Sequence, residues 1–267
     1  MIRPYPELEK ALTGLAFSPG KNGPPLIGVS GCQGSGKTTL VKAVAQAIGA
    51  AHLSLDDLYC TAHQRAHLAE ALHPLFATRG PPGTHDLPTL SRLLDQLASA
   101  GAGDSTPLPA FDKLADDRLP PEAWPVFKGR PTAILVEGWC LGATPQAPEK
   151  LAESVNALER DEDPDGVWRG AINRFLAGPY ATMFSRFDNF LHMRAPAFEA
   201  VQGWREEQQA GLLGRQLFPE EKVGLFRFIQ HYERLTRHML AGGLLPGLVV
   251  QLDANRRPQG IPLASPQ

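Results

Sequence analysis

The sequence predicts an α/β fold in which a parallel sheet of about five strands is covered by helices on both faces, with helical insertions around its edge. Short apolar runs recur along the chain, segments with helical spacing separate them, and Gly and Pro cluster between the two kinds of segment. Strands that alternate with helices favour a parallel sheet. The predicted strands are Leu26–Ser30, His52–Leu55, Ala133–Val136, Phe190–Met193 and Leu248–Leu252.

Helices are predicted between these strands. After the first strand, Leu40, Val44 and Ile48 share one face, and Gly49 stands where a helix C-cap is expected. Connections of more than about 15 residues commonly carry lids or substrate loops. The long connections here are 61–83, 99–130 and 142–168, and a polar helical stretch over 201–240 precedes the last strand.

Length and charge exclude several classes of protein. The 267 residues carry 26 Lys+Arg against 28 Asp+Glu, a net charge of -2, which argues against a nucleic-acid wrap or a polybasic membrane anchor. We expect no partner of either kind. Three cysteines are too few and too widely spaced for a disulfide framework or a thiolate zinc site, so we expect a cytoplasmic protein. Without a repeat or a break in composition, we expect a single domain over 1–267 and, by default, a monomer.

A phosphate-binding loop follows the first strand. The segment 31–38 fits the pattern G-x-x-x-x-G-K-[ST] and opens a helix, as the P-loop NTPase fold requires. Its backbone N–H groups surround a phosphate chain, the Lys reaches the outer phosphates, and the Thr hydroxyl ligates Mg²⁺. We therefore expect ATP and Mg²⁺ as cofactors. The predicted ATP-binding residues are Gly31, Gln33, Gly34, Ser35, Gly36, Lys37, Thr38 and Thr39.

Acidic residues end two further strands. Asp56 and Asp57 follow the second strand, and Glu137 ends the third. Ligands of such sheets bind beyond the carboxyl ends of the strands, so one Asp is a candidate general base and Glu137 a candidate for the metal shell. Asp57 also fits an N-cap. Cys32, inside the phosphate loop, is favoured to pack as a small apolar side chain. A reactive thiol is the alternative, because a helix N-terminus favours a thiolate.

The chain lacks the signature segments of two classes of nucleotide-binding protein. The chain has no Asn-Lys-x-Asp segment of the kind that reads guanine in GTPases, and no LSGGQ-like segment of transporter ATPases. A small-molecule kinase, which transfers phosphate to a hydroxyl of an acceptor molecule, remains. The alternative from another class is a nucleotide-dependent regulator that has no acceptor.

Several motifs together resemble the bacterial and plant-type D-glycerate 3-kinases, in the group of uridine kinase, phosphoribulokinase and pantothenate kinase. The resemblance runs from about Pro24 to Asp253, and the RGPPGTHD segment is its most specific part. It includes Val155–Glu159 and Trp204-Arg205. The other motifs are 31–39, Ser54–Tyr59, Arg79–Asp86, Phe111–Lys113 with Arg118, and Val136–Trp139.

This resemblance implies transfer of the ATP γ-phosphate to the 3-hydroxyl of D-glycerate. It implies Asp56 as the general base and Thr38 with Glu137 as metal ligands. Lys37, which the phosphate loop directs to the outer phosphates, is the second catalytic residue. Leu58 replaces the Phe usual in the group. The region of about 61–130 would supply the acceptor loops and that of about 142–240 the lid. The expected substrate-binding residues are Asp56, Tyr59, Arg79, Thr84, His85, Asp86, Lys113 and Arg118.

A cationic lid should close over the phosphates, and Arg205 and Arg215 are its candidates. By analogy, the segment 253–256 should border the adenine. Glycerate is an anion, so cationic loops suit it, but they do not identify it. The same chemistry on a nucleoside or on pantothenate stays open as an alternative.

Overall fold

A six-stranded sheet forms the centre of the structure, a computed structural model that describes residues 5–21 and 23–260. Its strand order is β10-β9-β8-β1-β7-β2, with five parallel strands and an antiparallel β10 at one edge. All five predicted strands are confirmed, and β10 is an addition. The strands of the sheet are β1 (Leu26–Gly31), β2 (Ala51–Ser54), β7 (Ile134–Gly138), β8 (Asn189–Arg194), β9 (Leu248–Leu252) and β10 (Pro258–Gln259).

Helices cover both faces of this sheet. The helix α2 has Leu40, Val41 and Val44 buried on one side, and Gly49 ends it in the left-handed conformation, as predicted. The helices are α1 (Pro6–Ala16), α2 (Lys37–Ile48), α3 (Ala62–Ala71), α4 (Leu87–Ser99), α5 (Ala157–Glu162), α6 (Val167–Phe175), α7 (Ala181–Phe184), α8 (Phe198–Leu213) and α9 (Pro219–Leu240).

The core has one layer on each side of the sheet. One layer packs α1, α2 and α8 through side chains such as Leu12, Leu40 and Trp204. The other packs α4, α7 and α9 through side chains such as Leu90, Phe184 and Tyr232. Burial of one such side chain contributes about 1.5–3 kcal/mol, so these layers fix the sheet and the loops at its carboxyl edge.

The long connections form the rim around that edge. The expected helical insertion does not occur in the connection 99–130, which has a short 3₁₀ turn at Pro121–Ala123 and no α-helix of its own. This connection folds into two small antiparallel ribbons, because Pro residues and extended pairs interrupt helical spacing there. The ribbons pair β3 (Ser105–Pro107) with β6 (Val126–Lys128), and β4 (Phe111–Asp112) with β5 (Asp117–Arg118). The connection 142–168 is a loop with a 3₁₀ turn at Pro148–Leu151, followed by α5 and the start of α6, and a π-helical turn at Leu176–Tyr180 joins α6 to α7.

Candidate active site

The phosphate-binding loop joins β1 to α2 in the conformation that its glycines permit. Gly34 and Gly36 have φ values of 74° and 91°, in the left-handed region that side chains disfavour. Gly36 is also the N-cap of α2, with no side chain bonded to the exposed N–H groups. The buried hydroxyl of Ser35 has no hydrogen-bond partner. The loop thus offers unpaired donors at a helix N-terminus, which suits a phosphate chain.

Glu137 lies beside this loop because β7 is the neighbour of β1 in the sheet. Ser30 aligns with Gly138, and Ser54 of β2 aligns with Glu137. Glu137 Oε1 accepts hydrogen bonds from Thr38 Oγ1 at 2.8 Å and from Ser54 Oγ at 2.9 Å. The carboxylate is 2% exposed.

The second oxygen of this carboxylate suits a metal ion. Glu137 Oε2 is buried without a hydrogen bond, and Lys37 Nζ lies 3.9 Å away. A buried, unpartnered carboxylate oxygen is costly unless a cation joins it. Its neighbour, the Thr38 hydroxyl, supplies the oxygen chemistry that Mg²⁺ prefers. The donor set therefore fits the magnesium ion expected from the sequence.

Asp56 follows β2 and keeps about a quarter of its side chain exposed, at 26%. Its Oδ1 accepts a hydrogen bond of 2.9 Å from the hydroxyl of Tyr59, and its Oδ2 lies 3.8 Å from Lys113 Nζ. Burial opposes ionisation, but Lys113, Lys37 and the Tyr59 hydrogen bond outweigh it and hold the pKa of Asp56 below its ordinary value. Asp56 is consequently ionised at neutral pH and able to accept a proton.

The adjacent carboxyl of Asp57 behaves differently. Burial, with the negative charge of Asp56 adding to it and Lys113 opposing it, raises the pKa of Asp57 to about 6. Asp57 lies with Asp56 in a single 3₁₀ turn over Leu55–Asp57, so it does not cap a following α-helix. Thr61 caps α3 instead. Of the two carboxyls, Asp56 lies within ion-pair distance of Lys113, and Asp57 forms no ion pair among the described residues.

Two aromatic side chains hold the loop Arg79–Asp86 through hydrogen bonds to its backbone. Tyr232 donates from its hydroxyl to the Arg79 carbonyl at 3.1 Å, and Trp139 donates to the Gly80 carbonyl at 3.0 Å. A Cβ on Gly80 would lie 2.0 Å from the Tyr232 hydroxyl, and the φ of Gly80 is +126°. Only glycine fits there.

Thr84 holds this loop from within. It is fully buried, and its hydroxyl accepts from the Gly80 N–H at 3.0 Å and donates to the Pro81 carbonyl at 2.8 Å. The hydroxyl expected to contact the substrate is therefore occupied by the loop. Thr84 shapes the loop that carries Arg79 and His85.

The ring of His85 stacks on the ring of Tyr59, with 4.8 Å between the ring centroids. Its Nδ1 is 2.6 Å from the Tyr180 hydroxyl, which also accepts from the Gly83 N–H. Burial lowers the pKa of His85 to about 4, with Asp56 opposing the shift. His85 is thus neutral at physiological pH and supports the tyrosine that bonds to Asp56.

Asp86 and Arg118 pair with each other. Arg118 donates to Asp86 Oδ2 at 3.0 Å and to the Tyr59 carbonyl at 2.8 Å. Asp86 also caps α4 by accepting from the Thr89 N–H at 2.9 Å. Both residues join the loops around Asp56, and their charges are compensated.

Arg79 is likewise paired. Its guanidinium contacts the carboxylate of Asp116, which also accepts from Arg65 at 2.6 Å. Asp116 lies in the turn between β4 and β5, with φ at 55°, and the same turn carries Lys113. Arg79 therefore anchors the turn that brings Lys113 to Asp56.

The two candidate lid arginines occupy different environments. Arg205 of α8 lies 5.9 Å from the centre of the Phe228 ring and has only a 3.5 Å contact with Gln208. Among the described residues, no carboxylate lies within ion-pair distance of it. Burial and the nearby Arg79 lower its pKa, whereas Tyr232 and Asp56 raise it. These neighbours place the cation of Arg205 beside the acceptor loops.

Arg215 lies beyond the end of α8 and forms a bidentate pair with Glu221 at 2.7 and 2.8 Å. Its guanidinium also rests on Phe218, 4.3 Å from the ring centre. Arg215 thus links α8 to the start of α9, and the structure does not bring it to Asp56 or the phosphate loop.

Arg256 lies in the segment 253–256, which was expected to border the adenine. Its Nε donates to the Gly34 carbonyl at 2.7 Å, and its guanidinium lies 5.1 Å from the Trp204 ring. A cavity of about 360 Å³ opens beside this contact. Its lining includes Tyr5, Leu8, Thr38, Thr39, Trp204, Gln208 and Arg256. The analogy pointed to this segment, but the contact of Arg256 with Gly34 had no local signal in the sequence.

The Val155–Glu159 motif belongs to the support of α9. Arg234 of α9 bonds both oxygens of the fully buried Glu159, at 2.7 and 2.6 Å. Asn156 caps α5 and donates to the Gln230 carbonyl at 3.0 Å. These bonds hold the helix that carries Tyr232 against the acceptor loops.

The environment of Cys32 supports the packing role and argues against the alternative of a reactive thiol. The side chain is 7% exposed, and burial raises the pKa of its thiol to about 12, which Lys37 only partly offsets. The helix N-terminus does not compensate for the loss of water around the sulfur. Cys32 packs as a small apolar side chain.

Comparison with solved structures identifies the fold. A D-glycerate 3-kinase from Cryptococcus neoformans superposes with a TM-score of 0.73, covering 95% of this chain and 96% of the other, at 24% sequence identity. The chain has the fold of the P-loop kinases. The parallel sheet, the phosphate loop after its central strand and the position of Glu137 on the neighbouring strand agree with that fold.

Similarity in sequence accompanies this similarity in fold. An uncharacterized kinase of Schizosaccharomyces pombe is 29% identical over 275 residues, which cover 94% of this chain and 96% of the relative. The chloroplastic D-glycerate 3-kinase of Arabidopsis thaliana is 28% identical over 93% of this chain and 57% of its own length. This chain thus spans just over half of the Arabidopsis relative. The comparisons confirm the resemblance to D-glycerate 3-kinases.

No protein-family model matches the chain. Within residues 5–21 and 23–260, no helix is long and apolar enough to cross a membrane.

Proposed function

We propose that the chain is an ATP-dependent kinase that phosphorylates the 3-hydroxyl of D-glycerate to give 3-phosphoglycerate and ADP. The single observation that supports a phosphotransfer site is the position of Asp56. Its carboxylate is ionised between Lys113 of the acceptor turn and Lys37 of the phosphate loop. The choice of acceptor is supported by the D-glycerate 3-kinases among the relatives.

The phosphate loop supplies the nucleotide site in this proposal. Backbone N–H groups at the start of α2 bind the phosphates, and Lys37 contacts the outer ones. The cavity beside Arg256 and Trp204 has room for the nucleoside part of ATP. The residues proposed to bind ATP are the ones that the sequence predicts for that role within 31–39.

Thr38 and Glu137 would hold the magnesium ion. When bound, the ion neutralises charge on the β- and γ-phosphate oxygens. Ser54 assists by donating to Glu137 Oε1, which leaves Oε2 free. Lys37, 3.9 Å from Oε2, is held by the same carboxylate.

Asp56 is the proposed general base. Because the Tyr59 hydroxyl occupies Oδ1, Oδ2 is the oxygen left to accept the proton of the acceptor hydroxyl. The proton moves to Oδ2 as the hydroxyl oxygen attacks the γ-phosphorus and ADP leaves. Lys113, 3.8 Å from Oδ2, keeps the carboxylate ionised before the transfer.

The acceptor carboxylate requires a cation that is not already compensated. Arg79 and Arg118 have carboxylate partners, in Asp116 and Asp86, and therefore position the loops. Arg205 has no carboxylate partner among the described residues, and Lys113 lies 3.8 Å from Asp56, beyond hydrogen-bond distance, with its side chain half exposed. We assign Lys113 to the acceptor and Arg205 to the acceptor or the transferring phosphoryl group. Tyr59, Thr84, His85 and Asp86 complete the site as positioning residues.

The proposal extends to the organisation of the chain. The region of about 61–130 forms the acceptor side, and α8 with α9 forms the lid side, within one domain. A monomer in the cytoplasm stays a prediction.

A coupled assay of ADP release with Mg²⁺ tests the proposal. D-glycerate, L-glycerate, uridine, pantothenate and ribulose 5-phosphate are each offered, and the product is identified by NMR. We expect selective turnover of D-glycerate to the 3-phosphate, lost in Lys37→Ala. Turnover of another acceptor alone would overturn the substrate, and no turnover with any of them would favour a nucleotide-dependent regulator.

A further inference from the structure

The helix α3 carries two histidines on its solvent face, away from the acceptor site. His63 and His67 are four residues apart, so their side chains point the same way. Their Nε2 atoms lie 3.2 Å apart, and the rings are nearly perpendicular, at 85°. No contact of the proposed phosphotransfer uses either ring.

This distance suits two ligands of one metal ion. With metal–nitrogen bonds of about 2.0–2.1 Å, Nε2 atoms 3.2 Å apart subtend an angle of about 100° at the ion. That angle lies between the square-planar and tetrahedral values. Zn²⁺, Ni²⁺ and Cu²⁺ all accept imidazole nitrogen.

Glu70 adds a second, independent feature. Its carboxylate lies 3.8 Å from Nδ1 of His67, on the side of the ring opposite the metal-facing nitrogen. At 3.8 Å this is not a hydrogen bond, but the negative charge favours a proton on the nearer nitrogen, Nδ1, which leaves the Nε2 lone pair free for a metal. His63, His67 and Glu70 form one stripe along the helix.

We propose that His63 and His67 bind one divalent transition-metal ion through their Nε2 atoms. No group of three His, Cys, Asp or Glu side chains suited to a metal occurs among the described residues, so water completes the ligand shell. The site is distinct from the oxygen donors Thr38 and Glu137, and the proposal does not depend on the phosphotransfer activity.

Binding here would join the first two turns of α3. The opposite face of this helix holds Arg65, which is buried and donates to the Cys60 carbonyl at 2.6 Å and to Asp116 at 2.6 Å. A metal across His63 and His67 would therefore stabilise the helix that anchors the acceptor turn.

Titration calorimetry with Zn²⁺ tests this site on the full chain, without an affinity tag or ATP and with excess Mg²⁺ present. We expect one Zn²⁺ per chain, affinity at least tenfold weaker in His63→Ala and in His67→Ala, and no such site in the double variant. His73→Ala, which changes a histidine outside α3, should bind as the unmodified chain does. Zn²⁺ should also raise the Tm of the unmodified chain and leave that of the double variant unchanged.

Two results would overturn the proposal. One is the absence of saturable binding to the unmodified chain, which would leave an Nε2–H···Nε2 hydrogen bond as the whole interaction. The other is equal Zn²⁺ affinity in the double variant, which would place the ion elsewhere.

Discussion

Tyr59 donates a hydrogen bond of 2.9 Å to Asp56 from a position three residues further along the chain. Tyr59 is itself held by stacking on His85, and His85 is bonded to Tyr180. This chain of contacts fixes one oxygen of Asp56 and leaves the other open towards Lys113. The orientation of the proposed base is thus set by residues that themselves need not touch the acceptor.

Tyr59→Phe should change the pH dependence of the reaction. The hydrogen bond from Tyr59 stabilises the ionised carboxylate, so its loss raises the pKa of Asp56. Since the base works only when ionised, the acidic limb of the kcat profile should move to higher pH. At neutral pH we expect kcat to fall about two- to tenfold with little change in the KM for D-glycerate. An unshifted limb would contradict the role of Tyr59.

Asp56→Asn should remove the base while keeping the size of the side chain. We expect kcat to fall by about 10²–10⁴. Asp57→Asn is the matched control, because Asp57 is adjacent and its pKa of about 6 is set mainly by burial. It should lower kcat by less than about tenfold. A larger loss in the Asp57 variant than in the Asp56 variant would assign the base to Asp57.

Glu137→Gln should raise the requirement for magnesium. The substitution keeps an oxygen for the hydrogen bonds from Thr38 and Ser54 but removes the charge of the unpartnered Oε2. We expect the Mg²⁺ concentration for half-maximal activity to rise at least about tenfold, because an amide is a much weaker ligand for Mg²⁺ than a carboxylate. Titration of activity with Mg²⁺ at saturating ATP measures this. An unchanged requirement would remove Glu137 from the metal shell.

The central sheet was predictable because its signals are local. Each of the five parallel strands is a short apolar run, and the phosphate loop is a contiguous motif that also fixes its flanking strand and helix. The adjacency of Glu137 to Thr38 required the strand order, for which the sequence has no local signal. It became an expectation only through the resemblance.

The roles of the acceptor-loop residues were less predictable, because they depend on distant partners. The charge of Arg79 is compensated by Asp116 and that of Arg118 by Asp86, and both partners lie more than 30 residues away in the sequence. Cys32 shows a similar limit, since its burial comes from the packing of α8 and β8 rather than from the loop that contains it. Arg256 contacts Gly34 across 222 positions of the sequence.

Gly80→Ala should disturb the acceptor loop specifically. The new Cβ would overlap the Tyr232 hydroxyl, and the φ of +126° is unfavourable for alanine. We expect the KM for D-glycerate to rise at least about tenfold and stability to fall by about 1–3 kcal/mol. Gly203→Ala in α8 is the control: a Cβ added there would meet no atom within 4 Å, so it should leave the KM nearly unchanged and raise stability slightly, by about 0.5–1 kcal/mol. Equal behaviour of the two variants would show that the loop tolerates movement.

Glu159→Gln should destabilise the protein through the buried pair with Arg234. The carboxylate is fully buried and takes two hydrogen bonds from the guanidinium, so its neutralisation leaves a buried charge without compensation. We expect the free energy of unfolding to fall by about 3–5 kcal/mol. Glu162→Gln tests the contrast, because Glu162 pairs with Arg227 at an exposed position where such pairs contribute about 0–1 kcal/mol. Urea unfolding of the two variants measures the difference. Equal, small losses would mean that water reaches Arg234 and that the Val155–Glu159 motif does not hold α9 through this ion pair.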